Sequence, residues 1–454
     1  MKWKTKQIFW IAVYFVLIFA PLLILLLAPR PAGRTFWREL SSSLGFAGLA
    51  LMGLQFIPTA RLPFLSEVFP LDTLYSFHHR LSVVAFLLTL AHPVILFMQN
   101  PYTLRLLNIF TAPLRARAAV AATVAMILLV LTSTKRLSLK LSYEAWRVIH
   151  DVLSVAVIGF AFYHIFNVNY YMSVPLQRGL WVVLGVIWGL MIVYIRVIKP
   201  WQLLRRPYEI VDVIRERGNT WTLNLKPVGH AGHRFRAGQV AWLSIGHSPF
   251  RIEEHPFSYA SSDMHPELVG FAIKELGDFT NTVGSLPPGT KVYIDGPYGT
   301  FDLDHHPDRN YVFVAGGIGS APIMSMLRTL ADRQDERHLQ FFYGNPTYDD
   351  IIFREELDSL QQRLNLEVIH VLEKSHEGWE GETGYITKAV LERHLFQEYQ
   401  HCTYFICGPL PMIESVERSL TELSVSRSEM YELARKRAFE TTRKHIYSEN
   451  YKMA

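Results

Sequence analysis

Cysteine is nearly missing from this chain. Only Cys402 and Cys407 occur in 454 residues, both late in the sequence. Two thiols exclude a cysteine-ligated iron–sulfur cluster and a disulfide framework, and they suit a reducing compartment for the part that holds them. No Lys/Arg tract with interleaved aromatics occurs and the net charge is only +5, so nothing points to nucleic acid as a partner. The D-x-[DN]-x-[DN]-G calcium loop and the G-x-G-x-x-G dinucleotide fingerprint are also missing. So are internal repeats and low-complexity tracts.

What is present is distributed unevenly. Apolar residues make up 50% of the chain, but the long apolar runs all precede about residue 200. Runs long enough to cross about 30 Å of hydrocarbon fall near 8–28, 39–57, 73–98, 116–133, 145–168 and 180–198. The first follows a basic start, MKWKTK, and is too long for the apolar core of a signal peptide, so a retained helix is expected. Six spans place both chain ends on one side. Lys2, Lys4, Lys6, Lys135, Arg136, Lys140, Lys199, Arg205 and Arg206 share that side; Arg30, Arg34, Arg38, Arg105, Arg115, Arg117 and Arg178 lie opposite. The bias is weak and favours a cytoplasmic C-terminal half in the plasma (inner) membrane.

After the spans the period changes. From Arg205 to Gly299 short alternating segments are separated by Gly, Pro and Asn, as in an antiparallel barrel. From Tyr311 the pattern becomes strand, turn, helix, repeated in YVFVAGGIGSAPIMSML, HLQFFYGNPTYDDIIFREEL and CTYFICGPLPMIESVERSL, the signature of a parallel α/β sheet. The expected architecture is a multidomain membrane protein: a six-helix transmembrane bundle (1–204), an antiparallel β-barrel (205–307), an α/β nucleotide-binding domain (308–425) and a helical extension (426–454).

Histidines occupy the third and fifth spans, in SFHHRLSVVAFLLTLAHP and WRVIHDVLSVAVIGFAFYHIFNV. Ionisable groups at membrane depth are costly and usually face a functional interior, and neutral imidazole is a standard axial ligand for haem iron. Thirteen or fourteen residues at about 1.5 Å each separate two ligands by about 20 Å along a helix. One histidine from each helix at each level would clamp a porphyrin, making a haem-binding bundle with two haems. The expected pairs are His79 with His150 and His92 with His164. At about 100° per residue, His78 suits the face of His92 better than His79 does, unless a bend near Pro93 or a π-bulge intervenes. Periodicity alone leaves the choice open.

With these residues the chain resembles the transmembrane flavocytochrome b superfamily of ferric reductases and NADPH oxidases, especially compact bacterial oxidases. The resemblance implies one helix with its histidines thirteen apart and another with fourteen, which selects His79 and leaves His78 as a neighbouring polar residue. It implies two b-type haems, FAD, and NADPH or NADH as donor. In EEHPFSYASS it assigns His255, Pro256, Phe257 and Ser258 to the flavin, with Ser261 close by; an aromatic beside hydroxyls suits a ring with a polar edge. In GFAIKELGDFTNTV it assigns Ile273, Lys274 and Thr280 to the flavin pyrophosphate. Gly316, Gly317, Ile318 and Gly319 follow a strand and precede a helix, where backbone can approach a phosphate. The resemblance to ferredoxin–NADP reductases places Cys407, Gly408 and Pro409 beside the nicotinamide. Phe257 and Cys407 are the catalytic candidates, Cys407 by packing along the hydride path rather than as a nucleophile.

The resemblance favours NADPH as donor, while the residues themselves leave NADH open. Asn345 and Pro346 stand where many NADPH users carry arginine, and Arg354 lies farther along, in the next helix. The extension should hold a charged helix, with Tyr431, Phe439 or Tyr447 available to cover the flavin. The resemblance implies transfer of electrons from NAD(P)H through FAD and two haems to oxygen, forming superoxide. The alternatives are reduction of a ferric chelate or cupric ion, or donation to an external protein. Partners would be NAD(P)H, membrane lipid, and oxygen or a ferric chelate. Calcium and an obligatory cytosolic activator are not expected.

Overall fold

A computed structural model describes residues 2–27, 34–305, 310–425 and 430–433. The chain divides into two compact units, Met1–Pro200 and Trp201–Ala454. The first unit holds α1 (Lys2–Leu27), α2 (Phe36–Leu54), α3 (Leu71–Gln99), α4 (Leu114–Thr134), α5 (Tyr143–Val168) and α6 (Pro175–Val193). Six helical stretches, Thr5–Leu27, Phe36–Thr59, Leu71–Gln99, Leu114–Thr134, Tyr143–Val168 and Pro175–Leu204, are long and apolar enough to cross a membrane. They coincide with the six expected runs, and the chain is a multi-pass membrane protein. Leu87, Val124, Val152, Val186 and Leu190 stand exposed along them, as apolar side chains facing lipid would.

Two helix pairs dominate this unit, α2 with α3 and α4 with α5. The first pair is close because α2 turns small residues toward α3. A Cβ on Gly45 would lie 3.1 Å from His92 Cγ, and one on Gly48 would lie 2.3 Å from Thr89 Oγ1. Small residues at a helix interface are what allow helices to approach in lipid. Phe46, Tyr171, Trp181 and Trp188 form a separate aromatic core beside α2.

The second unit begins with six antiparallel strands: β1 (Tyr208–Glu216), β2 (Thr220–Pro227), β3 (Val240–Ile245), β4 (His255–Ser258), β5 (Val269–Lys274) and β6 (Lys291–Tyr298). Their order is β4-β3-β6-β1-β2-β5. A bridge between Tyr259 and Phe271 joins the two edges and curls the sheet into a barrel. Alternation does the rest: Leu223, Leu225, Leu243, Val269, Phe271 and Val292 fill its interior.

The last sheet is parallel throughout, ordered β10-β9-β8-β7-β11-β12. Its strands are β7 (Tyr311–Gly316), β8 (Leu339–Asn345), β9 (Leu366–Leu372), β10 (Glu382–Thr383), β11 (Thr403–Cys407) and β12 (Met430–Leu433). The helices α7 (Ser320–Asp332), α8 (Arg354–Arg363), α9 (Lys388–His394) and α10 (Leu410–Glu422) alternate with them. The chain runs from β7 outward through β8 to β10, then crosses back to add β11 on the other side. The reversal lies between the C-terminal ends of β7 and β11, where open α/β sheets bind ligands.

One expectation changes here. Residues 430–433 of the extension are a strand, with Leu433 opposite Cys407, and not part of a helix. The edge of β11 offers unsatisfied backbone groups, and pairing there outweighs the helical bias of a charged sequence. Phe439 and Tyr447 lie outside the described residues, as does the side chain of Tyr431.

Candidate functional site

In the membrane unit, α3 is helical without interruption from Leu71 to Gln99, through Pro93. No π-bulge rotates its face, so fourteen residues rather than thirteen bring a side chain back into line. His78 and His150 accordingly have ring centres 6.3 Å apart. His79, a further 100° or so round the helix, is an exposed residue. At the other level His92 and His164 are close enough to interact electrostatically.

Three of these imidazoles are held by their Nδ1 atoms. His92 Nδ1 donates to the Ser41 carbonyl at 2.9 Å, while Ser41 Oγ donates back to the His92 carbonyl at 2.8 Å. His164 Nδ1 donates to the Arg115 carbonyl at 2.8 Å. His150 Nδ1 lies 3.1 Å from Ser133 Oγ. His78 Nδ1 is enclosed beside the Gln55 main chain, without a well-formed hydrogen bond. Thus α2 and α4 back the histidine helices α3 and α5. A proton fixed on Nδ1 leaves Nε2 with a lone pair, the arrangement that metal-binding histidines use. Two nitrogens at about 2 Å from one metal leave their ring centres about 6 Å apart. The His78–His150 separation fits a metal held between two imidazoles.

The sequence pointed to none of the backing groups. Ser41 and Ser133 come from other helices, and Arg115 contributes its carbonyl. The guanidinium of Arg117 is tied to the carbonyls of Ala112 and Phe110, and that of Arg105 to Tyr102.

In the barrel, His255 and Phe257 point inward and are buried, whereas Pro256 and Ser258 are half-exposed. The His255 ring stacks on Phe279 at 3.9 Å, joining β4 to the loop after β5. Two expected ligands have their hydroxyls engaged elsewhere. Thr280 Oγ1 accepts from the Leu276 and Gly277 amides at 2.8 and 2.9 Å, closing that loop on itself. Ser261 Oγ accepts from the Gly270 amide at 2.9 Å. Lys274 ends β5, half-exposed, with Ile273 buried beside it.

The nucleotide candidates do converge. Gly317 has φ of +53°, a conformation that favours glycine. A Cβ on Gly319 would lie 2.3 Å from the Cys407 carbonyl oxygen, and one on Gly408 would lie 3.0 Å from the Gly316 nitrogen. The turn Gly316–Gly319 and the segment Cys407–Pro409 therefore touch along their backbones at the reversal point of the sheet, with Ile318 packed on the adjoining core. Tyr343 donates to the Gly317 carbonyl at 3.1 Å and its hydroxyl oxygen lies 3.0 Å from Ser320 Oγ, steadying the turn. Burial pushes the Cys407 thiol up to about 12, which makes it inert as a nucleophile. Arg354 packs over the Tyr348 ring, 3.9 Å from its centre.

α7 links the two halves of this unit. Ser325 donates to the Ser261 carbonyl at 2.6 Å, and Arg328 donates to the Ala260 carbonyl at 2.6 Å while gripping Glu356 with two nitrogens. Thr329 accepts from the Asp263 amide at 3.0 Å. The segment after β4 is thus fixed against the helix that starts at the glycine turn.

Residues 44–161 match the ferric reductase like transmembrane component, and residues 313–418 match the oxidoreductase NAD-binding domain. That pairing is the layout of the ferric reductase/NADPH oxidase superfamily. The chain is also similar to several curated reductases. NADH-cytochrome b5 reductase 1 of Eremothecium gossypii is 28% identical over 181 residues, 38% of this chain and 63% of the relative. The glycine betaine monooxygenase reductase subunit of Chromohalobacter salexigens is 28% identical over 244 residues, 52% of this chain and 65% of that one. The propane 2-monooxygenase reductase component of Rhodococcus jostii is 30% identical over 203 residues, 43% and 54%. The chain spans less than two thirds of the length of each.

Proposed function

We propose that this protein carries electrons from NAD(P)H on one side of a membrane to an acceptor on the other. The observation that supports it most is the two-level histidine arrangement, in which helices α3 and α5 each carry imidazoles fourteen residues apart, one pair with ring centres 6.3 Å apart. The reading places one b-type haem between His78 and His150 and a second between His92 and His164. His78 replaces His79 because it shares the helix face of His92.

Haem and flavin, when bound, supply one-electron and hydride-accepting chemistry respectively. The chain's own residues position them. Ser41 and the Arg115 carbonyl hold the protons of His92 and His164 on Nδ1, keeping Nε2 free to ligate. Ser258 and Pro256 are the β4 side chains turned out of the barrel toward a flavin, with His255 and Phe257 supporting them from inside. Lys274 offers positive charge to a pyrophosphate; Thr280 and Ser261 shape the loops around it. The glycine turn and Cys407–Pro409 receive the nucleotide with backbone alone, and Cys407 stays a neutral thiol beside it.

NADH is the favoured donor. Position 345 carries asparagine, Arg354 is stacked on Tyr348, and relatives such as the cytochrome b5 reductases are named for NADH. The terminal acceptor is oxygen, giving superoxide, with the nucleotide side cytoplasmic. A second reading, ferric-chelate reduction, is supported by the description of the matched membrane component. One experiment separates them. Purified protein is reduced anaerobically with NADH or NADPH, then given oxygen or a ferric chelate while haem absorbance is followed. Fast reoxidation by oxygen with matching superoxide supports the first reading; slow oxygen reaction with fast chelate reduction supports the second. Protein without haem or flavin absorbance after cofactor-replete expression would defeat both.

A further inference from the structure

The two histidine levels are anchored with different materials. At the His92/His164 level both Nδ1 atoms donate to main-chain carbonyls, of Ser41 and Arg115, and no substitution removes a carbonyl. At the other level His78 lies beside the Gln55 main chain, and His150 is anchored by a side chain, Ser133 on α4.

Ser133 Oγ has three neighbours. It lies 2.7 Å from the Leu129 carbonyl, 3.1 Å from His150 Nδ1 and 3.4 Å from Trp146 Nε1. A hydroxyl donates once and accepts twice. A carbonyl only accepts and an indole N–H only donates, so the hydroxyl proton goes to Leu129, at the shortest distance. The two lone pairs then face Trp146 Nε1–H and His150 Nδ1–H. That assignment satisfies all three partners and puts the His150 proton on Nδ1, with the lone pair on Nε2. The Trp146 ring, 5.4 Å from the His150 ring, packs beside the same imidazole and limits its rotation.

We propose that Ser133 is the positioning residue of this site: it selects the ligating tautomer of His150 and, by accepting from Nδ1–H, makes that imidazole a stronger donor to iron. The proposal rests on the reading of His150 as a haem ligand. A more basic imidazole stabilises the ferric state, so losing the acceptor should raise the midpoint potential of this haem and leave the His92/His164 haem alone.

The test is a mediated optical redox titration of the purified, haem-loaded full chain, paired with low-temperature EPR of the ferric protein. Ser133→Ala should shift the ferric/ferrous equilibrium of one haem toward ferrous by up to about tenfold, equivalent to about 59 mV for a one-electron couple, and should move the corresponding low-spin EPR signal. Ser133→Thr keeps the hydroxyl and should restore both. Loss of one haem in Ser133→Ala with retention in Ser133→Thr also supports the proposal. It is overturned if Ser133→Ala leaves both potentials and both signals unchanged, or if alanine and threonine behave alike. His150→Ala is the control for the underlying reading: retention of both haems would overturn that reading and the proposal together. One lost haem, with Ser133→Ala silent, would overturn the proposal alone.

Discussion

The proposed membrane site is made of side chains and the proposed nucleotide site of their absence. Four imidazoles on α3 and α5 define the first, each projecting from a helix whose backbone is almost wholly occupied with its own hydrogen bonds. The second is a meeting of bare backbone, Gly316 to Gly319 against Cys407 and Gly408, with no room for a Cβ at Gly319. The difference teaches where each is fragile. A side-chain site fails by deletion and a backbone site by addition.

The largest effect expected from that contrast is at the histidines. His78→Ala, His92→Ala, His150→Ala and His164→Ala should each remove one haem from the purified protein, measured by pyridine haemochrome content. His79→Ala should keep both. The outcome that breaks the comparison is haem loss in His79→Ala with retention in His78→Ala. Next in size is addition at the glycine turn. Gly319→Ala forces the turn away from the Cys407 carbonyl and should cost about 1–3 kcal/mol. It should also raise the KM for NADH by about tenfold, seen in NADH-driven reduction of a soluble dye, while haem content is unchanged.

Smaller is the loss of a clamp that belongs to neither site. Arg328→Ala removes the double contact to Glu356 and the bond to Ala260, worth about 2 kcal/mol for charge-assisted bonds in a mostly enclosed place. A lowered temperature of flavin release, followed by fluorescence, would report it. Smallest is Cys407. Burial disfavours its thiolate, so reactivity should appear only as pH approaches about 12. Iodoacetamide at pH 8 should leave Cys407 unmodified in the folded protein and label it after denaturation, as read by peptide mass. Rapid labelling of folded protein would show that the nucleotide site is open at β11.

Much of this was legible in the chain itself, for physical reasons that differ by residue. Six apolar runs were visible because hydrocarbon tolerates little else over that length. His92, His150 and His164 were visible because an imidazole at membrane depth is expensive. The glycine turn was visible because it follows a buried strand and precedes a helix. The choice between His78 and His79 turns on the continuity of one helix: ideal periodicity favours His78, the family spacing favours His79, and α3 runs through Pro93 without a break. Ser41 and Ser133 were invisible because their meaning lies in which helix stands opposite. Ser261 and Thr280 were seen as hydroxyls near a cofactor, but composition does not say which amide a hydroxyl already holds. The strand at 430–433 was missed because a parallel edge partner about two dozen residues away outweighed local propensity.

Helix α7 has a bearing on how this kind of protein can be recombined. Its first turn belongs to the glycine turn, and its later turns hold Ala260 to Asp263 through Ser325, Arg328 and Thr329. A chimaera joined in the linker between Tyr298 and Tyr311 would look modular on paper but would orphan those bonds on both sides of the junction. A foreign nucleotide domain would have to bring its own 260–263 segment and its own β12, so the exchangeable cassette is the whole unit Trp201–Ala454, inherited or swapped as one piece.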